Sequence, residues 1–261
     1  MQIATWNINS VKARADLLVA WLKEAKPDVV CLQELKCEDN AFPASLIEDL
    51  GYNVLIHGQK TYNGVAILSR VMPEDVRRGL PGDTQDTQAR FLEAAIPWNG
   101  RIVRVASIYL PNGNPVDSEK YPYKLSWMDR LIAHASQLLA GEEPVVLAGD
   151  YNVIPSPQDA KHPENWTSDA LFLPRTREKF RTLLNQGWVD AVRSLNPEQA
   201  GIYTFWDYQA GAWQKDNGIR IDHHLLSPQA ADLLSSVRID KHVRGWERPS
   251  DHVPVVITLN I

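Results

Sequence analysis

Short apolar runs that end in polar residues constrain the fold of this chain most strongly. The runs cover residues 3–6, 29–33, 105–108, 145–149 and 219–221 and are rich in β-branched side chains. Runs of this length and composition are typical of buried strands. The polar residues that follow these runs, or directly precede the run 253–259, are Asn7, Glu34, Tyr109, Asp150, Asn152, Asp222, Ser250, Asp251 and His252. We therefore expect a sheet-based fold with polar groups collected at strand ends. Such carboxylate-rich clusters suit metal-dependent cleavage of phosphate esters.

An amphipathic helix is predicted between the first two strands. Residues 11–25 carry apolar side chains at helical spacing, with Ser10 as the expected N-cap and Pro27 as the stop. A helix between two strands allows those strands to be parallel neighbours. Asn7 and Glu34 would then lie at the same end of the sheet.

The later part of the chain predicts further helices and antiparallel strands. A second apolar stripe runs through residues 125–139 and ends at Gly141. Shorter helices are expected near residues 43–50 and 175–185. The turn-like segment 97–100 suits an antiparallel pair. The chain therefore predicts mixed sheets covered by helices, in α/β layers.

The composition is ordinary for a soluble globular protein. Of the 261 residues, 44% are hydrophobic and 23% are charged. The chain contains no linker-like segment or internal repeat, so we expect a single catalytic domain over residues 1–261. No apolar stretch approaches the ~20 residues that cross a bilayer, and no signal-peptide pattern precedes the first strand. We therefore expect a cytoplasmic protein that does not bind membranes, with Cys31 and Cys37 reduced.

The net charge of −5 argues against a simple nucleic-acid-binding protein, which usually presents a basic surface. The objection is weaker for an enzyme that holds a divalent cation, because several of the 32 acidic residues could be ligands or catalytic groups. Basic residues such as Arg90 could contact phosphates, although a solvated surface charge is the commoner role.

The first candidate residues have structural as well as functional interpretations. Glu34 could simply end a strand, or it could bind a hard metal ion, which prefers oxygen ligands. Asn7 could be a turn residue or an amide beside that ion. Asp150 and Asn152 could belong to a turn with Gly149. Alternatively, Asp150 could activate water while Asn152 orients the base or the phosphate.

A second group of candidates could supply a positioned proton donor. A carboxylate such as Asp222 or Asp251 can keep the imidazole of His252 protonated. The ring could then donate to a phosphate oxygen as negative charge grows. The alternative is a surface histidine before a strand. Tyr109 precedes a Pro-Asn-Gly turn, where a phenol could hydrogen-bond a phosphate.

Six blocks that contain these residues occur in order along the chain. They are Thr5-Trp6-Asn7-Ile8-Asn9, Leu32-Gln33-Glu34, Ile108-Tyr109-Leu110-Pro111-Asn112-Gly113, Gly149-Asp150-Tyr151-Asn152, Arg220-Ile221-Asp222 and Ser250-Asp251-His252. Together they resemble the exonuclease III family of AP endonucleases, within the endonuclease/exonuclease/phosphatase superfamily. The segment 203–206 is similar to that family and not to lipid- or inositol-acting members. The resemblance covers residues 1–259.

The resemblance implies a four-layer α/β sandwich, in which two mixed β-sheets pack face to face and are flanked by helices. It also implies dependence on Mg²⁺ or Mn²⁺. The implied site residues are Glu34, Asn7 and Asp251 for the metal, Asp150 for activating water, Asn152 and Tyr109 for holding the phosphate, and Asp222 for orienting His252. By the same resemblance, Phe205, Trp206, Ile219 and Ile221 form or adjoin a pocket for a flipped-out abasic sugar, and Arg90 contacts the DNA backbone.

Two positions and one segment depart from the family pattern. Asn9 stands where some members carry a carboxylate, and Ser10 replaces a common glycine. The loop 155–166 has no clear counterpart.

The main hypothesis is a monomeric Mg²⁺-dependent DNA-repair phosphodiesterase. It would act on double-stranded DNA, incising 5′ to abasic sites and processing blocked or normal 3′ ends as a 3′–5′ exonuclease and 3′-phosphodiesterase. One alternative is a superfamily phosphatase that acts on phosphoinositide or lipid head groups. Another is a non-catalytic DNA-end binder.

Overall fold

Twelve strands form two six-stranded sheets in the computed structural model, which describes residues 1–261. In chain order the strands are β1 (Gln2–Asn7), β2 (Val29–Gln33), β3 (Asn53–His57), β4 (Val65–Ser69), β5 (Glu74–Arg78), β6 (Phe91–Trp98), β7 (Arg101–Tyr109), β8 (Val145–Asp150), β9 (Val189–Asp190), β10 (Asp222–Leu226), β11 (Leu234–Ile239) and β12 (Val255–Leu259). The first sheet has the order β11-β12-β1-β2-β4-β3, and the second has the order β5-β6-β7-β8-β10-β9.

Six α-helices and four short 3₁₀ turns complete the architecture. The α-helices are α1 (Ala15–Ala25), α2 (Ala44–Glu48), α3 (Lys120–Leu139), α4 (Pro174–Asn185), α5 (Ala191–Leu195) and α6 (Pro228–Ala231). The 3₁₀ turns are Asp39–Ala41, Pro157–Asp159, Pro163–Trp166 and Lys241–Gly245. None of the helices combines the length and the apolar character that a membrane crossing requires.

Each sheet contains one parallel pair, β1 with β2 and β7 with β8, and its other pairs are antiparallel. In the first pair, Asn7 lies opposite Gln33, directly before Glu34. In the second pair, Tyr109 lies opposite Asp150. Parallel strands end at the same edge of a sheet. The predicted convergence of Asn7 and Glu34 is therefore confirmed.

The two sheets pack face to face through a fully buried apolar layer. Ile3, Cys31 and Ile67 of the first sheet contact a cluster that includes Val105 and Val146 of the second. This burial is the largest favourable contribution to folding, at ~25 cal/mol per Å² of apolar surface removed from water.

Helices cover the outer faces of both sheets. Trp21 and Leu22 of α1 pack on the outer face of the first sheet, and Met128 of α3 and Phe180 of α4 pack on the second. The order of layers is helix, sheet, sheet, helix, so the expected four-layer α/β sandwich is confirmed.

The first helix starts later than its apolar stripe predicts. Residues 11–14 form a turn, and α1 begins at Ala15, so Ser10 is not its N-cap. Instead, the backbone N–H of Ser10 donates to the carbonyl of Glu34 at 2.8 Å. Ser10 has a φ of 82°, in the left-handed region that favours glycine. The chain therefore uses this segment to hold the loop after β2 and not to cap a helix.

Candidate active site

Three ionisable side chains meet where the two sheets end. Glu34 directly follows β2, Asp150 ends β8, and His252 lies shortly before β12. One ligand atom of each lies within 4.8 Å of the others. The predicted meeting of acids and an imidazole from distant parts of the sequence is therefore present in the structure.

The amide of Asn7 joins the two carboxylates. Its Nδ2 donates to Oε1 of Glu34 at 2.8 Å and to Oδ2 of Asp150 at 2.9 Å. Its Oδ1 accepts the backbone N–H of Asn9 at 3.0 Å. The expected place of the Asn7 amide, beside the carboxylate of Glu34, is therefore present in the structure. Its oxygen is already engaged, and its NH₂ group faces the carboxylates.

His252 is held between two carboxylates. Its Nδ1 lies 2.9 Å from Oδ2 of Asp222, and its Nε2 lies 3.7 Å from Oδ2 of Asp150. Burial alone lowers the pKa of His252, but the charges of Asp222 and Asp150 outweigh it and raise the pKa to about 10. The ring is therefore a cation at neutral pH, with a proton to donate.

The pKa of Asp150 is also raised, but for a carboxyl group this shift favours the neutral form. Burial raises its pKa to about 7, although His252 and the Asn7 amide favour the ionised form. Its Oδ1 also accepts the backbone N–H of Asn152 at 2.9 Å. A carboxylate with a raised pKa is a stronger proton acceptor than an exposed aspartate, as a general base near neutral pH requires.

The ammonium group of Lys36 lies among the oxygen atoms around Glu34. The ammonium of Lys36 lies 2.9 Å from Oε2 of Glu34 and 2.6 Å from Oδ1 of Asn9. Asn9 in turn donates through Nδ2 to Oδ1 of Asp251 at 3.0 Å. Burial raises the pKa of Glu34, but Lys36 and Asn7 reverse the shift, so its pKa lies below the usual value. This ionised, oxygen-rich donor set fits a hard divalent cation.

Sequence reasoning missed Lys36 as part of this cluster. The one sequence signal was its position two residues after Glu34. In the structure both residues have positive φ, 52° for Glu34 and 54° for Lys36. Such backbone strain commonly marks functional loops.

Tyr109 and Arg90 lie together beside the carboxylates. The Arg90 guanidinium carbon lies 4.9 Å from the centre of the Tyr109 ring. Burial, Glu34 and Asp150 raise the pKa of Tyr109 well above its usual value, so its phenol keeps the proton. A neutral phenol is a hydrogen-bond donor for a phosphate oxygen.

The side chain of Asn152 is fully engaged with the neighbouring loop. Its Nδ2 donates to the carbonyl of Leu110 at 2.9 Å, and its Oδ1 accepts from Nδ2 of Asn112 at 3.0 Å. Asn152 therefore connects the loops after β7 and β8 through its side chain.

A buried lysine that sequence reasoning did not select holds the same two loops. Nζ of Lys124, in α3, donates to the carbonyls of Asn112 at 3.0 Å and Asn152 at 2.6 Å. Burial lowers its pKa to about 7. Gly113, with a φ of 90°, lies so close that an added Cβ would come within 2.7 Å of the Lys124 stem. Gly113 was the one residue in the sequence that indicated a close approach between this loop and α3.

The family to which the chain belongs follows from comparison with known proteins. The model of the endonuclease/exonuclease/phosphatase family matches residues 4–252. The chain is also 34% identical to exodeoxyribonuclease III of Haemophilus influenzae, over 98% of both chains. This protein belongs to the exonuclease III family.

Solved structures agree with this assignment. An AP endonuclease from Archaeoglobus fulgidus is 37% identical and superposes with a TM-score of 0.93, over 100% of both chains. A 3′-5′ exonuclease from Neisseria meningitidis is 39% identical, with a TM-score of 0.94 over 100% of both chains. The likeness therefore includes the exonuclease III fold over its whole length.

The apolar pocket that the exonuclease III family resemblance implies is only partly as expected. Phe205 and Ile219 line a cavity of about 400 Å³, and Ile221 lies in the buried cluster beneath it. The Phe205 ring centre lies 5.0 Å from that of His252, in an edge-on arrangement. These three residues therefore lie in one cluster, whose Phe205 contacts His252.

Trp206 lies elsewhere, which corrects the expectation that it adjoins the pocket. It is fully buried in a separate cluster with Tyr203 and Val253, and its Nε1 donates to Asp216 at 3.1 Å. Consecutive side chains of an extended segment point to opposite sides. Since Phe205 faces the cavity, Trp206 faces the core.

Proposed function

We propose that this protein is a DNA-repair phosphodiesterase that uses Mg²⁺ or Mn²⁺. It incises double-stranded DNA 5′ to abasic sites and processes 3′ ends. The convergence of Glu34, Asp150 and His252 within 4.8 Å carries this proposal, because it combines a hard-metal ligand, a base and a proton donor. The relatives named AP endonuclease and 3′-5′ exonuclease support the substrate class.

In this proposal Glu34 holds the cation, with Asp251 close by across Asn9. A bound divalent cation supplies positive charge against the phosphoryl oxygens. The ammonium of Lys36 lies 2.9 Å from Oε2 of Glu34 and would give up this contact to a cation bound there. Asn7 keeps the carboxylates of Glu34 and Asp150 at a fixed separation.

Asp150 accepts the proton of the attacking water, whose oxygen forms the new bond to phosphorus. The bond from phosphorus to O3′ breaks, and O3′ leaves with its electron pair and takes a proton from solvent. The raised pKa of Asp150 supports its role near neutral pH. His252, charged through its contact with Asp222, donates from Nε2 to a non-bridging oxygen as negative charge grows. The phenol of Tyr109 donates to the same phosphate group, and Asn152 sets the position of the loops around it.

The comparisons do not favour a phosphoinositide or lipid phosphatase, since the similar proteins carry nuclease names. A non-catalytic DNA-end binder would not need the base, the proton donor and the metal ligands together. We further propose that the enzyme acts as a monomer in the cytoplasm. Light scattering at assay concentration tests the monomer.

A time course on a duplex with one internal abasic site, labelled at the 5′ end, tests the proposed function. We expect a single nicked product with Mg²⁺, slower trimming of 3′ ends, and no product with EDTA. Inositol phosphates assayed in parallel should release no phosphate. Release of phosphate without any cut DNA would contradict the proposal.

A further inference from the structure

The cavity beside Phe205 is larger than an abasic sugar requires. Its volume of about 400 Å³ lies in the range of ~300–1,000 Å³ of cavities that receive drug-sized ligands. A deoxyribose ring would leave much of this space unfilled. We propose that the cavity receives a base-bearing nucleotide from the 3′ end of DNA, and that Trp166 is the wall on which the base stacks. The inference rests on the proposed function and names the substrate class of the same site.

Two aromatic side chains form part of this cavity wall. Trp166 and Phe205 both line it, and both are partly exposed while packing on the buried cluster that includes Ile219. Stacking on an aromatic side chain holds any of the four bases, because each base has a π-face. A sugar without a base gains nothing from this wall, so Trp166 should discriminate between the two substrates.

The polar residues of the cavity suit a base and not a phosphate. The amides of Asn165, Gln209 and Asn217 and the carboxylates of Asp169 and Asp207 line it, and no lysine or arginine does. Amides and carboxylates can pair with the amino and carbonyl groups of base edges. The acidic groups would repel a phosphate.

A second cavity, of about 690 Å³, lies on the Tyr109 side of the site and has the complementary character. Arg90 and Lys120 line it, and no carboxylate does. The charges therefore divide the surface around the carboxylates into a phosphate-binding side and a base-binding side.

The loop that carries Trp166 is fixed to the strand segment before Asp222. The Asp159 carboxylate accepts from Nε of Arg220 at 2.8 Å, and its carbonyl accepts from the backbone N–H of Arg220 at 2.8 Å. The backbone N–H of Lys161 donates to the carbonyl of Gly218 at 3.0 Å. These contacts hold the Trp166 wall in place before substrate binds, which reduces the entropy cost of binding.

Two duplexes with the same 5′ label test the inference. One has a recessed 3′ end of normal nucleotides, and the other has an internal abasic site. We expect Trp166→Leu to lower kcat/KM for end trimming by about tenfold or more, with abasic incision within about threefold of wild type. Trp166→Phe should retain both activities within about threefold, because it keeps an aromatic face. Trp98 is a partly buried tryptophan of the β6–β7 hairpin. The control variant Trp98→Ala should leave the ratio of end trimming to abasic incision unchanged.

A binding measurement separates this inference from the proposed function. The probe is a duplex with the fluorescent base 2-aminopurine at its 3′ end, in EDTA so that it is not cleaved. Its fluorescence should fall on binding to the wild-type protein and fall much less on binding to Trp166→Leu. If the quenching differs in this way but the wild type cleaves neither duplex, the proposed function is contradicted and the role of Trp166 is not. Equal quenching by both proteins, or an equal loss of both activities in Trp166→Leu, would overturn the role of Trp166.

Discussion

The Nδ1 atom of His252 lies 2.9 Å from Oδ2 of Asp222, and both side chains are buried. The contact joins β10 of the second sheet to the segment that precedes β12 of the first. It fixes the orientation of the ring and favours its charged form. The proton that we assign to phosphate stabilisation therefore depends on a residue outside the reach of the substrate.

Replacing Asp222 by asparagine should shift the pH dependence of turnover. The pKa of His252 is about 10 in the wild type, so the active, protonated ring is present below that pH and is lost as pH rises through it. Without the charge of Asp222, burial should lower this pKa. We expect kcat to fall by ~10²-fold at pH 8 and its alkaline limb to move to lower pH. Profiles of kcat from about pH 6 to 10.5 measure this, and an unmoved alkaline limb in Asp222→Asn would contradict the assigned role.

Replacing Lys124 by methionine should loosen both loops that surround the phosphate. Methionine preserves the length of the side chain but leaves the carbonyls of Asn112 and Asn152 without their donor. Unsatisfied buried groups cost ~1–3 kcal/mol each, so we expect a loss of about 2 kcal/mol in the free energy of unfolding. We also expect a fall in kcat of about tenfold, larger than any change in KM. Urea unfolding and steady-state kinetics measure these changes. Lys23→Met, on the exposed face of α1, is the control and should change neither quantity.

Replacing Asp159 by asparagine should destabilise the fold in a pH-dependent way. Burial raises the pKa of Asp159, but Arg220 and the other donors around it lower the pKa from 3.8 to about 2. Because the folded-state pKa lies below the usual value, the stabilisation is present above pH 3.8 and is lost as pH falls through about 2. Breaking a buried ion pair costs ~3–5 kcal/mol.

We therefore expect Asp159→Asn to be about 3 kcal/mol less stable than wild type at pH 7, with a smaller difference near pH 2.5. Chemical denaturation at both pH values measures this. Asp129→Asn removes an exposed partner of Lys179 and should change stability by less than about 1 kcal/mol. A difference for Asp159→Asn that does not depend on pH would show that the charge of Asp159 is not what stabilises this network.

The parts of the fold that could be predicted are those with local periodicity. The β1–β2 parallel pair follows from two apolar runs joined by an amphipathic helix, and it brings Asn7 beside Glu34. The helical stripe of residues 125–139 predicts most of α3, and the segment 97–100 predicts the turn between β6 and β7. In each case a short stretch of sequence identifies the element.

The remaining features depend on contacts between distant segments, which no local pattern encodes. Ser10 has the residue type of an N-cap, but its backbone is bonded to Glu34. Trp206 is next to Phe205 in sequence and faces the opposite side. Lys124 has the residue type of an exposed helical position, yet it is buried and donates two hydrogen bonds, one to each of two loops. These three differences therefore arise from contacts that a residue's type and its neighbours in sequence do not indicate.

Binding of Mn²⁺ followed by electron paramagnetic resonance, combined with cleavage of an abasic duplex, tests the central claim most directly. We expect wild type to bind Mn²⁺ and to cleave. Glu34→Ala should lose Mn²⁺ affinity, and Asp150→Asn should retain a circular-dichroism spectrum like that of wild type. Each variant should lower turnover by ~10²–10⁴-fold. Undiminished Mn²⁺ binding by Glu34→Ala, or near-wild-type cleavage by either variant, would contradict the account.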